Sequence, residues 1–319
     1  MAAVIEIENL TKVYEVGFWR KRRVLALDGL SLTVEGGEIF GFLGANGAGK
    51  TTTLKLLTRL VYPTSGRASI LGHDIGDVRM HARIGYLPEN PYFYDYLTAR
   101  EFLDYCAELF GYSQSERKRR TENLLRRVYL DEKSWNKQLR KFSKGMLQRV
   151  GLAQALVNDP EIVFLDEPMS GLDPVGRRQV RDLIASLRDS GTTVFMCSHI
   201  LSDIEVLCDR VAIMRGGKLG ETGRLEELRA GAGDKNYIEI TVAGAEAETI
   251  SSRLSTLIGA RVSQTAGGTR IEVVDERDVD AALAAIRQAG GRLVSVLPVK
   301  QSLEELFVGD GTPRGNHEG

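Results

Sequence analysis

Residues 44–51 read GANGAGKT, and they join an apolar stretch, IFGFL (39–43), to a segment whose apolar residues recur at helical spacing, KTTTLKLLTRL (50–60). This order predicts a strand, a glycine-rich loop and a helix in direct succession. The stretch matches the pattern G-x-x-x-x-G-K-[ST]. In that pattern the glycines let backbone N–H groups turn toward phosphate oxygens, and the helix N-terminus adds partial positive charge. A strand–helix turn that binds nothing is the alternative, and the complete pattern in this context argues against it.

The loop also supplies side chains suited to a triphosphate. Lys50 is placed to reach the β and γ phosphates, and the Thr51 hydroxyl is placed to contact Mg²⁺. We therefore expect a nucleotide whose phosphates are bound by the loop residues Gly44, Asn46, Gly47, Ala48, Gly49, Lys50, Thr51 and Thr52.

A second stretch, EIVFLDEP (161–168), predicts the hydrolytic half of the same site. Its apolar residues favour a buried strand, and Asp166 follows at the carboxyl end, where ligands of open α/β sheets bind. Asp166 would hold Mg²⁺, directly or through water, and Glu167 would polarise a water molecule beside the γ-phosphate. Two carboxylates that merely cap the next helix are the alternative. A lysine, Mg²⁺ and a base around a triphosphate form the constellation for nucleotide hydrolysis.

The region around these motifs is typical of an α/β domain, which we place at residues 1–230. Strands are expected at RASIL (67–71), RIGYL (83–87), TTVFMC (192–197) and RVAIM (210–214). Because strands and helices alternate, a mostly parallel sheet with helical cover is predicted. Residues from about 90 to 160 are rich in Arg, Lys and Glu and predict a helical subdomain inserted into this domain.

A second, smaller domain is predicted at residues 236–308, after the pattern breaks at RAGAGDKN (229–236). The order there is a strand, a helix from about 246 to 257, two strands joined through Gly267 and Gly268, a helix, a strand and a short final helix, SLEELF. This βαββαβ order favours an α+β, ferredoxin-like domain. The polar residues 309–319 predict a disordered tail.

The bulk composition excludes several classes of protein. The chain has 319 residues, with 42 basic and 43 acidic side chains, so its charge does not favour a nucleic-acid partner. No apolar run is long enough to cross a bilayer, and we expect no signal peptide. The three scattered cysteines predict neither disulfides nor a metal site. A soluble, cytoplasmic chain of two domains is expected.

At residues 4 to about 225 the chain resembles the nucleotide-binding subunits of ABC transporters, which implies a P-loop NTPase cassette with an antiparallel β subdomain. The stretch FSKGM (142–146) is similar to the family signature, usually Leu-Ser-Gly-Gly-Gln. The resemblance implies that Ser143, Lys144, Gly145 and Met146 face the γ-phosphate of an ATP held by a second copy. It therefore implies a homodimer with two ATP molecules between the subunits.

Other positions follow from the resemblance one at a time. Tyr14 matches the aromatic residue that stacks on adenine, although a tyrosine in a strand is more often a core residue. Asp173 in SGLD (170–173) would contact the ATP site of the other subunit in the dimer. His199 matches the histidine that contacts the γ-phosphate, with a purely structural histidine as the alternative.

Two departures from the family pattern concern the γ-phosphate. Glu89 stands where the family often has Gln; it can bind Mg²⁺ but, when ionised, cannot donate a hydrogen bond. Lys144 and Met146 replace Gly and Gln, and Lys144 is expected to add positive charge near the phosphate. Together with the C-terminal extension, these features resemble the exporter subfamily associated with drugs, polysaccharides and copper-site maturation.

The resemblance implies a transport ATPase on the cytoplasmic face of the cell membrane, where a separate permease subunit is its partner. The aromatic residues in PYFYDY (91–96) could anchor a helix of that permease or could pack the inserted subdomain. A soluble ATP-gated regulator without a membrane partner is the rival function. The second domain is expected to stabilise the dimer or to regulate it.

Overall fold

The computed structural model describes residues 2–17, 22–231, 237–254, 260–265, 268–275 and 277–299. The chain divides into two compact units, Met1–Leu225 and Glu226–Gly319, and each is described by itself. The predicted final helix, SLEELF, and the predicted tail, 309–319, lie outside the described residues.

The strands of the first unit alternate with its helices from β3 onward. Their bounds are β1 Ala3–Val16, β2 Arg22–Glu35, β3 Ile39–Gly44, β4 Ser65–Ile70, β5 His73–Asp74, β6 Ile84–Leu87, β7 Ile162–Asp166, β8 Thr193–Ser198, β9 Arg210–Arg215 and β10 Lys218–Arg224. The helices are α1 Lys50–Leu57, α2 Ala99–Leu109, α3 Gln114–Arg127, α4 Lys144–Ala155, α5 Pro174–Asp189, α6 Leu201–Leu207 and α7 Leu225–Gly231, the last of which crosses the unit boundary. Three short 3₁₀ helices lie at Val78–Arg83, Glu132–Ser134 and Leu139–Lys141.

The central sheet has the strand order β10-β9-β3-β8-β7-β6. All of its neighbouring strands pair in parallel except β9 and β10, which form an antiparallel pair at one edge. Every residue of β3, β7 and β8 is buried, as expected for strands covered on both faces. Phenylalanine rings pack across three strands, with the Phe195 centroid 5.4 Å from that of Phe40 and 5.8 Å from that of Phe164.

A second, antiparallel sheet of the first unit has the order β2-β1-β4-β5. Buried residues alternate over part of β1, as in Ile5 and Ile7, and over part of β2, as in Leu30, Leu32 and Val34, and they join the same core as the phenylalanines. Helices α2, α3 and α4 follow β6 and precede β7 in the chain, within the stretch where the charged composition predicts helices. The sequence did not predict β5 or β10, which are a two-residue strand and a polar edge strand.

The second unit has the order β11 Tyr237–Ala243, α8 Ala247–Arg253, β12 Arg261–Thr265, β13 Gly268–Val273, α9 Asp278–Gln288 and β14 Arg292–Val299. Its strands pair antiparallel in the order β12-β13-β11-β14. One apolar cluster, which includes Ile240, Ile271 and Ile286, forms a core of its own. In the described part of the chain, no helix combines the length and the apolar character that a bilayer span requires.

Candidate nucleotide-binding and hydrolytic site

The glycine-rich loop leaves β3 at Gly44 and enters α1 at Lys50. Gly49, the residue before the helix, has a φ of 106°. A Cβ at this position would lie 2.8 Å from the carbonyl oxygen of Ala26, so both the backbone conformation and the close approach require glycine. The loop is thereby held against β2. The first N–H groups of α1 lie where the loop enters the helix.

Lys50 is folded into the loop that precedes it. Its side chain is only 6% exposed, and its Nζ donates to the carbonyl oxygens of Gly44 at 2.5 Å and Ala45 at 3.3 Å. The ammonium group is therefore already positioned at the centre of the loop. A triphosphate there would provide stronger, charged acceptors for the same donor.

A cavity of about 400 Å³ opens over this loop. Its lining residues come from β2, the loop, α1, the segment after β6 and the end of β7; they are Ala26, Asn46, Gly47, Ala48, Gly49, Lys50, Thr51, Thr52, Glu89, Asp166 and Glu167. The structure thus brings the glycine-rich loop, Glu89 and both carboxylates of EIVFLDEP to one place. Ala26 is the lining residue that sequence reasoning missed, and no pattern around it marked it.

Asp166 is the most buried carboxylate of this cavity. Its side chain is 1% exposed, and neither oxygen accepts a hydrogen bond of normal geometry from the residues that the structure describes. Burial is the main reason that the pKa of Asp166 is raised to about 6; the charges of Glu167 and Glu89 act in the same direction, and the neighbouring Thr51 and Lys50 act against it.

This environment suits a cation. Carboxylate oxygens that lack donors, beside the Thr51 hydroxyl, are the hard oxygen ligands that Mg²⁺ prefers. Mg²⁺ commonly binds one or two such protein groups together with substrate phosphates. Among the described residues, no group of three or more His, Cys, Asp or Glu side chains could hold a metal ion.

Glu167 follows in a strained backbone conformation. Its φ is 51°, in the left-handed region that residues with a Cβ rarely adopt, and its N–H donates to the Cys197 carbonyl oxygen at 3.0 Å. His199 Nδ1 lies 2.8 Å from Glu167 Oε1. His199 does not line the cavity; it reaches the site through this hydrogen bond, with half of its side chain exposed.

The residues around the stretch FSKGM line a different cavity of about 680 Å³. It is formed by Tyr129, Leu130, Asp131, Ser134, Ser143, Lys144, Gly145, Met146, Arg149, Gly171, Leu172, Asp173, Val175 and Gln179. Ser143 is the N-cap of α4, with its Oγ accepting from the Met146 N–H at 3.3 Å. Asp173 is the N-cap of α5, with its Oδ1 accepting from the Gly176 N–H at 2.8 Å. Within one chain, these residues and the glycine-rich loop therefore occupy separate cavities.

Tyr14 lies on β1 opposite Val24, and it lines neither of these two cavities. Its ring centroid is 4.9 Å from Lys12 Nζ. Sequence reasoning also missed Gln148, which is 2% exposed and donates to two carbonyl oxygens of the loop after β7. A polar residue within an otherwise buried helical face was the only signal for it.

Comparisons with known proteins identify the family that this chain resembles. The family model described as ABC transporter matches residues 27–170. An ABC transporter ATP-binding protein of Synechocystis, sll0415, is 47% identical over 315 residues, which are 98% of this chain and 86% of that protein. The bacitracin transport ATP-binding protein BcrA of Bacillus licheniformis is 41% identical over 242 residues, or 75% of each chain.

Solved structures give the same result for the fold. The dimeric post-hydrolysis structure of the ATP-binding cassette MJ0796, bound to ADP and Pi, is 27% identical. It has a TM-score of 0.65 and covers 69% of this chain and 98% of its own. A structure described as the ATP binding subunit of an ABC transporter is 31% identical, with a TM-score of 0.63, and covers 72% of this chain and 93% of its own.

Proposed function

This chain belongs to the ABC transporter family as an ATP-binding subunit, and from that premise we propose that it powers an exporter. It hydrolyses ATP, acts as a homodimer and works with a separate membrane permease. The observation that carries the proposal is the single cavity in which Lys50, Asp166 and Glu167 meet above the glycine-rich loop.

Each residue of that cavity has a separate role in the proposal. Lys50 and the loop N–H groups bind the β and γ phosphates. Asp166, Thr51 and Glu89 would hold Mg²⁺, which would neutralise charge on the phosphate oxygens. Glu167 accepts a proton from the attacking water. His199, which bonds the Glu167 carboxylate, keeps that group oriented and contacts the γ-phosphate.

The second copy is proposed to complete the site. Ser143 and Gly145 at the start of α4 meet the γ-phosphate on the partner, where the positive end of the helix favours an anion. Lys144 and Met146 belong to the same contact surface, and Asp173 approaches the opposite site. Tyr14, which is half-buried on β1, is proposed to stack on adenine.

We propose that the permease docks on a tyrosine patch formed by Tyr92, Tyr94, Tyr96 and Tyr105. The sequence left open whether these aromatic residues are anchors or core. Phe93 is buried against Phe102, with ring centroids 5.2 Å apart, but the four tyrosines are between 39% and 88% exposed. Tyr94 packs against both Tyr96 and Tyr105 at 6.1 and 6.0 Å. Such an exposed aromatic surface suits a helix of a partner protein.

The remaining assignments follow from the same premise. Lys144, Met146 and the second unit support membership of the exporter subfamily, and the likeness to BcrA supports transport of a small compound. The strand order β12-β13-β11-β14 with two helices supports a ferredoxin-like accessory domain. We place the chain on the cytoplasmic face of the membrane, because ATP and its permease partner meet there.

Co-purification combined with an ATPase assay tests this function. Full-length tagged protein is expected to hydrolyse Mg²⁺-ATP and to recover a polytopic membrane protein from detergent-solubilised membranes. Recovery with ribosomes or DNA instead would favour the soluble regulator, and the absence of hydrolysis would refute the proposed activity.

A further inference from the structure

Loop 167–171, which begins with Glu167, is held in a conformation that it would not adopt alone. A non-glycine residue in the left-handed region is strained and persists only where its surroundings fix it. Here the Glu167 N–H is bonded to β8, as described above. Its carbonyl oxygen accepts from the Ser170 N–H at 3.0 Å and from Gln148 Nε2 at 3.3 Å. The carboxylate of Glu167 is thus aimed by a backbone that is fixed on both sides.

Gln148 supplies the fixing contact from outside the loop. Its Nε2 also donates to the Pro168 carbonyl oxygen at 3.2 Å, and the side chain is buried. Both amide hydrogens are therefore used on successive carbonyl groups of loop 167–171. Removal of this amide would take one donor from each carbonyl oxygen; the Glu167 oxygen would keep the Ser170 N–H, whereas the Pro168 oxygen would lose the donor described here.

Lys144 provides a second contact one helical turn earlier on the same face of α4. Its Nζ donates to Ser170 Oγ at 3.2 Å. Its aliphatic stem lies against Gly171, where the φ is 72° and a Cβ would be only 2.6 Å from Lys144 Cδ. Glycine at 171 is thus favoured by its backbone conformation, and it leaves room for the flexible stem of Lys144.

The backbone of α4 is close to the same loop. A Cβ at Gly145 would lie 3.3 Å from the Gly171 carbonyl oxygen and 3.3 Å from Leu172 Cδ2. The absence of a side chain at Gly145 therefore leaves room for loop 167–171 of the same chain. Within its first two turns, α4 contacts loop 167–171 through three residues. Lys144 and Gln148 donate hydrogen bonds to the loop, and the backbone of Gly145 lies close to it.

We propose that Lys144 and Gln148 are positioning residues that couple the two ATP sites of the homodimer. This inference rests on the proposed function. The start of α4 meets the nucleotide of the second copy, while the same helix holds the backbone of Glu167, which serves the chain's own nucleotide. When the start of α4 closes on the nucleotide of the second copy, the movement is thereby transmitted to Glu167, the hydrolytic carboxylate at the chain's own nucleotide. Lys144 acts through Ser170 rather than on the phosphate.

A double-mutant cycle separates these two roles of Lys144. We expect Lys144→Met and Ser170→Ala each to lower kcat about three- to tenfold, the effect of one lost hydrogen bond to a charged group. The double variant should be no slower than the slower single variant, because both remove the same contact. Lys144→Met should also lower the Hill coefficient for ATP toward 1. Lys144→Arg, which keeps the donor, should restore most of kcat.

The matched control is Lys141→Met, an exposed lysine just before the signature, which should behave as wild type. If the Lys144→Met and Ser170→Ala effects multiply, and only the lysine variant raises KM, Lys144 acts on the phosphate directly and the inference is overturned. A wild-type protein without ATPase activity would refute the proposed function instead.

Gln148→Met tests the second positioning residue. We expect its affinity for an ATP analogue to stay within about twofold of wild type, while kcat falls at least about tenfold, since the Glu167 and Pro168 carbonyl groups each lose one donor. Equal losses in binding and turnover would contradict a role at Glu167. If this variant does not fold, as a melting curve would reveal, the cycle at the exposed Lys144–Ser170 pair decides alone.

Discussion

His199 Nδ1 lies 2.8 Å from Glu167 Oε1, although the two residues are 32 positions apart in the chain. The parallel pairing of β7 with β8 accounts for this proximity, because Asp166 pairs with Cys197 and both strands end at the same edge. An Nδ1–H tautomer donates to the carboxylate, which fixes the imidazole and the carboxylate relative to each other. The pair therefore acts as a unit beside the phosphate cavity.

Glu167→Gln is expected to stop turnover while it preserves nucleotide binding. The amide keeps the shape of the side chain but cannot accept a proton from water, so we expect kcat to fall at least about a hundredfold. ATP should then accumulate in a stable dimer, which size-exclusion chromatography with light scattering would detect. Glu248→Gln, an exposed substitution on α8, is the control and should hydrolyse ATP normally. Wild-type hydrolysis by Glu167→Gln would refute the assignment of the base.

Lys50→Ala is expected to weaken nucleotide binding itself. The variant loses the ammonium group that the Gly44 and Ala45 carbonyl oxygens now hold at the centre of the loop. Loss of a charge-assisted hydrogen bond predicts about a ten- to hundredfold rise in the Kd for ATP. Isothermal titration calorimetry would measure it. Lys55→Ala, an exposed lysine on the same helix, should leave the Kd unchanged, and an unchanged Kd for Lys50→Ala would contradict the phosphate-loop assignment.

Asp166→Asn is expected to stabilise the nucleotide-free protein and to abolish its response to Mg²⁺. The pKa of Asp166 is raised from 3.8 to about 6 by burial, so the folded state binds a proton more tightly than the unfolded state does. Stability from this group is therefore present below pH 4 and is lost as the pH rises from about 4 to about 6. At pH 7 the loss amounts to roughly 2–3 kcal/mol.

Melting temperatures of the variant and the wild type, measured without nucleotide across this pH range, would check the prediction. The advantage of Asp166→Asn should grow from pH 4 to pH 6 and then level off. With Mg²⁺-ATP the order should reverse, since the wild type gains more stability from the bound ligand than the variant does. A constant difference across the pH range would show that Asp166 is not the group that titrates.

The sequence was sufficient to predict those parts of the fold and the site that depend on local patterns. The loop after β3 and the carboxylates after β7 are such parts, because a strand followed by a glycine-rich or acidic turn carries its own signature. Lys144 shows the limit: the sequence predicts its charge near the phosphate of a second copy, but gives no sign that its Nζ also bonds Ser170, 26 residues away. Contacts such as this one and Gln148 with Glu167 depend on how two elements pack, which no single stretch encodes.

Substitutions in the tyrosine patch are expected to separate transport from ATP chemistry. Tyr94→Ala combined with Tyr96→Ala removes two neighbouring rings from the surface without entering the core, so nucleotide affinity and basal kcat should remain within about twofold of wild type. Recovery of the permease should fall at least about tenfold, because aromatic anchors dominate the binding free energy of such interfaces. Quantitative co-purification from solubilised membranes would measure it.

Tyr62→Ala is the matched control for this patch. Its side chain is 64% exposed, close to the 60% of Tyr96, and it lies outside the segment that the permease is proposed to contact. Permease recovery with Tyr62→Ala should equal that with the wild type. If the Tyr94/Tyr96 double variant and Tyr62→Ala reduce recovery of the permease equally, exposed aromatic surface in general promotes the association. If neither variant reduces recovery, the permease binds elsewhere, and the exposed tyrosines need another partner to explain them.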